Sequence, residues 1–165
     1  MPAVRPAVLR QCALFESLSA EQLGKVAEIA VPREARAGEV IFREGSSGDE
    51  TFVVVSGTVR ISKDIPGAGE EALTLLGPGG HFGEMAAIDD APRSADAVAH
   101  TDCALLAIRR DDLDRLMFLD KDLAYALLWT LVRTLSSRLR DTTDKLRSFF
   151  ALAGPPGGGG PVPRK

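Results

Sequence analysis

Apolar positions change their period twice along this chain. Leu23, Val26, Ala27 and Ala30 recur at helical spacing behind Ser19-Ala20-Glu21-Gln22, a capping-box start, and Pro32 stops the run. The pattern predicts an amphipathic helix over about 19–30. From 33 to 109 short β-branched runs alternate with turn signals. Val40-Ile41-Phe42, Thr51 to Val55, Val59 to Ile61, Ala72 to Leu76, and two runs near 95–99 and 104–108 are separated by glycine- and proline-bearing turns. Many short strands at regular turn spacing argue for an all-β barrel or jelly roll. Helical spacing then returns. Asp111-Asp112 open a short helix with acidic residues in its favourable first turn, and a long helix is expected over 121–150. On it Leu128, Val132, Leu135, Leu139, Thr142, Leu146 and Phe149 recur in alternating steps of four and three. That is a heptad seam, and it predicts a homodimer formed through the long helix.

The organisation follows. Residues 1–13 form a Pro-punctuated N-terminal extension, 14–120 a β domain with its leading helix, 121–150 the long helix, and 151–165 a Gly/Pro tail expected to be disordered. At 165 residues one core is expected, not two. A formal net charge of −3 argues against a dedicated DNA-binding module, which carries a basic footprint. The chain has no apolar run of transmembrane length and no signal-peptide pattern, so no membrane partner is expected and the expected location is cytoplasmic. Cys12 and Cys103 sit among apolar neighbours and read as small buried hydrophobes. His81 and His100 lie far apart without other ligands, so no metal is expected, which also disfavours a metal enzyme on a similar jelly roll. No nucleophile–base arrangement suggests an enzyme.

The densest chemistry lies between Phe82 and Ala95. Gly83-Glu84 precede a short apolar segment, and Pro92-Arg93-Ser94-Ala95 follow it. A guanidinium gives parallel, charge-assisted hydrogen bonds to a phosphate, and a carboxylate accepts from sugar hydroxyls. Ser94 adds a hydroxyl donor, and small Ala95 leaves its backbone N–H approachable. Met85 to Ile88 can form one helical turn whose N–H groups favour an anion. The alternative is a loop carrying a surface Glu–Arg pair.

This ordered string resembles the phosphate-binding cassette of the cyclic nucleotide-binding domain family. Glu44-Gly45-Ser46-Ser47-Gly48-Asp49 and Val53 to Val59 resemble that family's glycine-bearing turn and following strand pair, so the likeness spans about 13–150. It implies a mainly β fold, an antiparallel jelly-roll barrel (a double-stranded β-helix) flanked by the N-terminal and long C-terminal helices. It implies a non-enzymatic sensor for a cyclic purine nucleotide, cAMP ahead of cGMP because Ser94 is not Thr. Arg93, Ser94 and the Ala95 N–H would hold the phosphate, and Glu84 with the Gly83 backbone the ribose. Met85 and Ala86 complete the cassette, and Val53, Val55, Leu73 and Thr74 would line the base and sugar wall.

Leu139 to Leu146 also resembles the catabolite-activator branch of the family. By that likeness Thr142 would reach the base in its own subunit and Thr143 the base in the other. The alternative is two threonines satisfied by their own helix backbone. That branch carries a winged helix-turn-helix after the long helix, whereas about 15 residues follow it here. The expectation is a sensor without direct DNA binding whose output passes to another protein. The alternatives are the N-terminal half of a cAMP-responsive regulator, or a ligand-free dimeric scaffold.

Overall fold

The computed structural model describes residues 6–89 and 91–153, so the tail expected at 151–165 lies outside the described residues from 154 onward, as do residues 1–5 of the N-terminal extension. Two compact units meet in sequence after Thr130. The first contains α1 (Pro6–Leu9), a 3-10 turn (Ala13–Phe15), α2 (Ala20–Ile29), β1 (Ala30–Ala35), β2 (Val40–Phe42), β3 (Glu50–Ser56), β4 (Val59–Ile65), β5 (Gly69–Leu76), β6 (His81–Phe82), α3 (Glu84–Asp89), β7 (Asp96–Ala99), β8 (Cys103–Arg109) and α4 (Arg110–Leu119). It ends on the opening turns of α5 (Lys121–Ala153), which continues through the second unit.

Helix α2 starts as its sequence predicts. The Ser19 hydroxyl accepts from Gln22 N–H at 3.2 Å, and the Gln22 side chain accepts from Ser19 N–H at 2.9 Å. Helix passes directly into strand at Ala30, and Pro32 lies inside β1. An edge strand tolerates proline, because one side of its ladder is unpaired. β1 is such an edge and pairs only with β8.

The strands form two four-stranded antiparallel sheets, ordered β1-β8-β3-β6 and β2-β7-β4-β5. The expected closed jelly-roll barrel is therefore corrected. Every strand pair lies within one sheet or the other, and none joins the two. The edge strands are β1 and β6 in one sheet and β2 and β5 in the other, and among the described residues none of them pairs across to the opposite sheet. The mainly β expectation is corrected as well. Helical residues outnumber strand residues, α5 alone contributing 33, so the fold is mixed α/β.

Between the sheets lies a core of alternate strand residues, among them Phe52, Val54, Val59, Phe82, Ala97 and Leu105. Residues of the opposite parity on β3 and β8, Val53, Leu106 and Ile108, are buried too, as are Phe15, Leu23, Val26, Leu123 and Leu127 of the helical layer. The first sheet is therefore covered on both faces. Burial of these side chains stabilises the unit by about 1.5–3 kcal/mol each.

Helix α5 is anchored at its start. Asp120 Oδ1 accepts from Leu123 N–H at 3.0 Å, and Asp120 Oδ2 accepts from Lys25 of α2 at 2.8 Å. The Lys25 hydrogen bond, then the Leu123 N–H, hold the Asp120 carboxyl below its ordinary 3.8. A carboxyl with a depressed folded-state pKa contributes stability above its unfolded value and loses it as pH falls through the folded one. Asp120→Ala is expected to lower the melting temperature by a constant margin at neutral pH. That margin should shrink as the pH drops below 3.8. Thermal scans of both proteins from pH 7 to 3 check this, and a margin independent of pH would show that the charge contributes nothing.

In the second unit α5 carries Val132, Leu135, Leu139, Leu146 and Phe149 as exposed side chains. Leu128, the first residue of the expected seam, is exposed in the first unit. No helix among the described residues is long and apolar enough to cross a membrane.

Candidate functional site

The site is assembled where β6, α3 and the segment leading into β7 meet the turn between β2 and β3. Gly83 joins β6 to α3 with φ +80°, a backbone state that side chains disfavour. Glu84 opens α3 and is buried. The return segment is fastened by a backbone pair: Gly45 N–H donates to Arg93 O and Arg93 N–H to Ser46 O, both at 2.8 Å. This pair places the Arg93 side chain beside the turn and the start of β3.

Arg93 is 5% exposed, rare for a guanidinium. Its Nη1 donates to Gly83 O at 2.7 Å and its Nη2 to Glu50 O at 2.8 Å. The Cζ lies 4.3 Å from the centre of the Phe42 ring. Gly48 comes so close that a Cβ there would sit 2.6 Å from both Nε and Nη2. The Nε is buried with no hydrogen-bond partner. Burial lowers the Arg93 pKa, and the charges of Glu50, Asp49 and Glu84 oppose that shift. The guanidinium is held by carbonyl oxygens and an aromatic face.

Ser94 is exposed, and its hydroxyl faces the Met85 sulfur at 3.9 Å. Its carbonyl accepts from Lys63 Nζ at 3.2 Å, and Lys63 pairs with Glu44 at 2.8 Å. Ala95 is buried, Met85 is exposed, and the Ala86 side chain lies outside the described residues. Leu73 and Thr74 are exposed on β5, with Leu73 at the bulge opposite Ile61 and Ser62. Val55 is half-buried. Val53 has no exposed surface and points to the face of β3 opposite Phe52 and Val54. Thr142 and Thr143 lie on α5 in the second unit, where their hydroxyls donate to Arg138 O at 2.8 Å and Leu139 O at 2.9 Å.

Sequence reasoning missed two parts of the Arg93 environment, Phe42 and the Glu50 carbonyl, and the Lys63 contact to Ser94 O. The Glu50 contribution is a backbone atom, which no side-chain pattern reveals. Gly48 was visible only as part of a glycine-bearing turn, not as the residue that closes on Arg93. A hollow of about 480 Å³ adjoins Gly45, Ser47, Gly48 and Asp49, but neither Glu84 nor Ser94 lines it.

Cys12 is buried with its sulfur 4.0 Å from His81 Nδ1, and burial pushes its thiol pKa up to about 11. Such a thiol is inert at neutral pH. Among the described residues no group of three His, Cys, Asp or Glu side chains could hold a metal ion.

The family model for the cyclic nucleotide-binding domain matches residues 32–120. The CRP-like cAMP-activated global transcriptional regulator of Mycobacterium tuberculosis is 28% identical over 143 residues, covering 87% of this chain and 62% of that protein. The crystal structure of the Thermus thermophilus catabolite activator protein superposes with a TM-score of 0.75 at 34% identity, over 83% of this chain and 62% of that one. The regulatory domain of Toxoplasma gondii PKA, crystallised with cAMP, superposes with a TM-score of 0.62 at 32% identity, over 67% of this chain and 42% of that one. The chain thus spans less than two thirds of the length of these relatives. With a family model over half its length, this chain belongs to the cyclic nucleotide-binding domain family of non-catalytic ligand-sensing modules, and is a homologue of its catabolite-activator-type sensors.

Proposed function

We propose that this chain binds a cyclic purine nucleotide, cAMP ahead of cGMP, through its Gly83-Glu84 and Arg93-Ser94-Ala95 segment. The observation that carries this reading is Arg93. A guanidinium only 5% exposed, whose buried Nε has no hydrogen-bond partner among the described residues, is costly unless an anion meets it. A cyclic phosphate is such an anion, and the Ser94 hydroxyl and Ala95 N–H stand next to it in sequence. Glu84 takes the ribose hydroxyl. Leu73 and Thr74 on exposed β5 offer a sugar and base wall.

Thr142 reaches the base of its own subunit and Thr143 that of the partner copy. Their hydroxyls now bond carbonyls of their own helix, so contact with a base requires them to share or exchange those bonds. The exposed row from Leu128 to Phe149 pairs with a second copy of the chain. Nucleotide then shifts an existing equilibrium of helix positions, by no more than its difference in affinity between the states, and a downstream protein reads the result.

Isothermal titration with cAMP and cGMP tests the reading. Saturable binding with one site per chain is expected, with cAMP the tighter ligand. No heat and no thermal shift with either nucleotide would remove it. Thr142→Ala is expected to narrow the cAMP-to-cGMP affinity ratio. An unchanged ratio would detach that threonine from base recognition.

A further inference from the structure

We infer that Phe42 is a positioning residue for the phosphate-binding cation, its ring face fixing the plane of the Arg93 guanidinium. The inference rests on the nucleotide-binding reading above and deepens it. A guanidinium is planar, so its hydrogen bonds are useful to a ligand only when that plane is set. Two carbonyls, Gly83 O and Glu50 O, hold Nη1 and Nη2. Two carbonyl contacts alone leave the plane free to tilt about the line between them. Phe42 removes that freedom. Its ring centre is 4.3 Å from Cζ, well inside the range at which an aromatic face attracts a cation.

The ring is itself immobilised. It lies 5.8 Å from Phe82 and 6.0 Å from Phe52, and those two rings stack at 5.2 Å inside the core between the sheets. Gly48 closes on the Nε and Nη2 side, where any side chain would push the cation off the ring. The orientation of Arg93 is thereby tied to the packed core through β2, not only to the cassette in which it resides.

The test compares Phe42→Leu, Phe42→Tyr and Val26→Ala with the unmodified chain, by cAMP calorimetry and thermal unfolding. Phe42→Leu keeps an apolar side chain but loses the aromatic face, and it is expected to bind cAMP about fivefold more weakly. Phe42→Tyr keeps the face and is expected to restore affinity to within about twofold. Val26→Ala removes packing in the helical layer, outside the core that holds the Phe42 ring, so it should lower the melting temperature and leave affinity unchanged. The Arg93 Nε–H resonance should also shift in Phe42→Leu without nucleotide, through loss of the ring current. If Phe42→Leu does not fold, Phe42→Met carries the same comparison.

Affinity equal to the unmodified chain in Phe42→Leu would overturn the inference alone. Equal weakening by Val26→Ala would reduce Phe42 to a packing residue. No binding by the unmodified chain would overturn both the inference and the reading beneath it.

Discussion

Arg93→Ala is expected to weaken cAMP binding at least about 100-fold, because hydrogen bonds to a charged group contribute about 1.5–3 kcal/mol each and a phosphate takes more than one from a guanidinium. The same change leaves Gly83 O and Glu50 O without their donor. It also uncovers the Phe42 ring. A stability loss of about 1–3 kcal/mol should therefore accompany the binding loss, the ordinary cost of a buried acceptor left unpaired. Arg93→Lys separates the two effects. An ammonium keeps the charge but cannot span both carbonyls in one plane, so it should recover part of the affinity and little of the stability. Calorimetry with denaturant unfolding measures both quantities. Near-native affinity in Arg93→Ala would place the ligand elsewhere.

The second large effect is expected at Gly83→Ala. Gly83 has φ +80°, and a Cβ there would meet Arg93 Nη1 at 2.6 Å, Glu50 O at 3.0 Å and Phe42 Cε1 at 3.4 Å. Gly38 is the natural control: its φ is +85°, but nothing lies within 4 Å of its Cβ position. Gly38→Ala should cost only the left-handed backbone penalty of about 1–2 kcal/mol. Gly83→Ala should cost that penalty and also dislodge the guanidinium, for a total of about 2–4 kcal/mol and a nucleotide affinity at least about tenfold lower. Urea unfolding of both variants and calorimetry of the second check this. Equal destabilisation with native affinity in Gly83→Ala would mean that the cation does not depend on this glycine.

Much of the site was legible because its residues are close in sequence and chemically conspicuous. Gly83, Glu84 and Arg93 bracket a short apolar segment, and the fold draws Gly83 and Arg93 into one hydrogen bond. The rest of the Arg93 environment comes from Phe42, Gly48 and Glu50, residues 43 to 51 positions upstream, whose pattern shows only strand, turn and strand. Val53 illustrates a related limit. In the run Phe52-Val53-Val54 every residue is apolar, so no alternation shows which side faces the space between the sheets. The structure puts Phe52 and Val54 there and Val53 on the other side. Pro32 read as a stop signal, yet it lies within an edge strand. β6 has two residues, too few to leave a periodicity.

Local physics is legible in the sequence. It specified the capped helix α2, the short strands and their turns, and the heptad row on α5. Each follows from propensity, period or capping within a few residues. The division of the strands into two open sheets emerges only in three dimensions, since pairing joins segments far apart in the chain. So does the environment of Arg93, a buried cation held by two carbonyls and an aromatic ring. A guanidinium in water and one closed in against Phe42 and Gly48 have the same sequence signature, and they differ only in which distant backbone the fold folds over them.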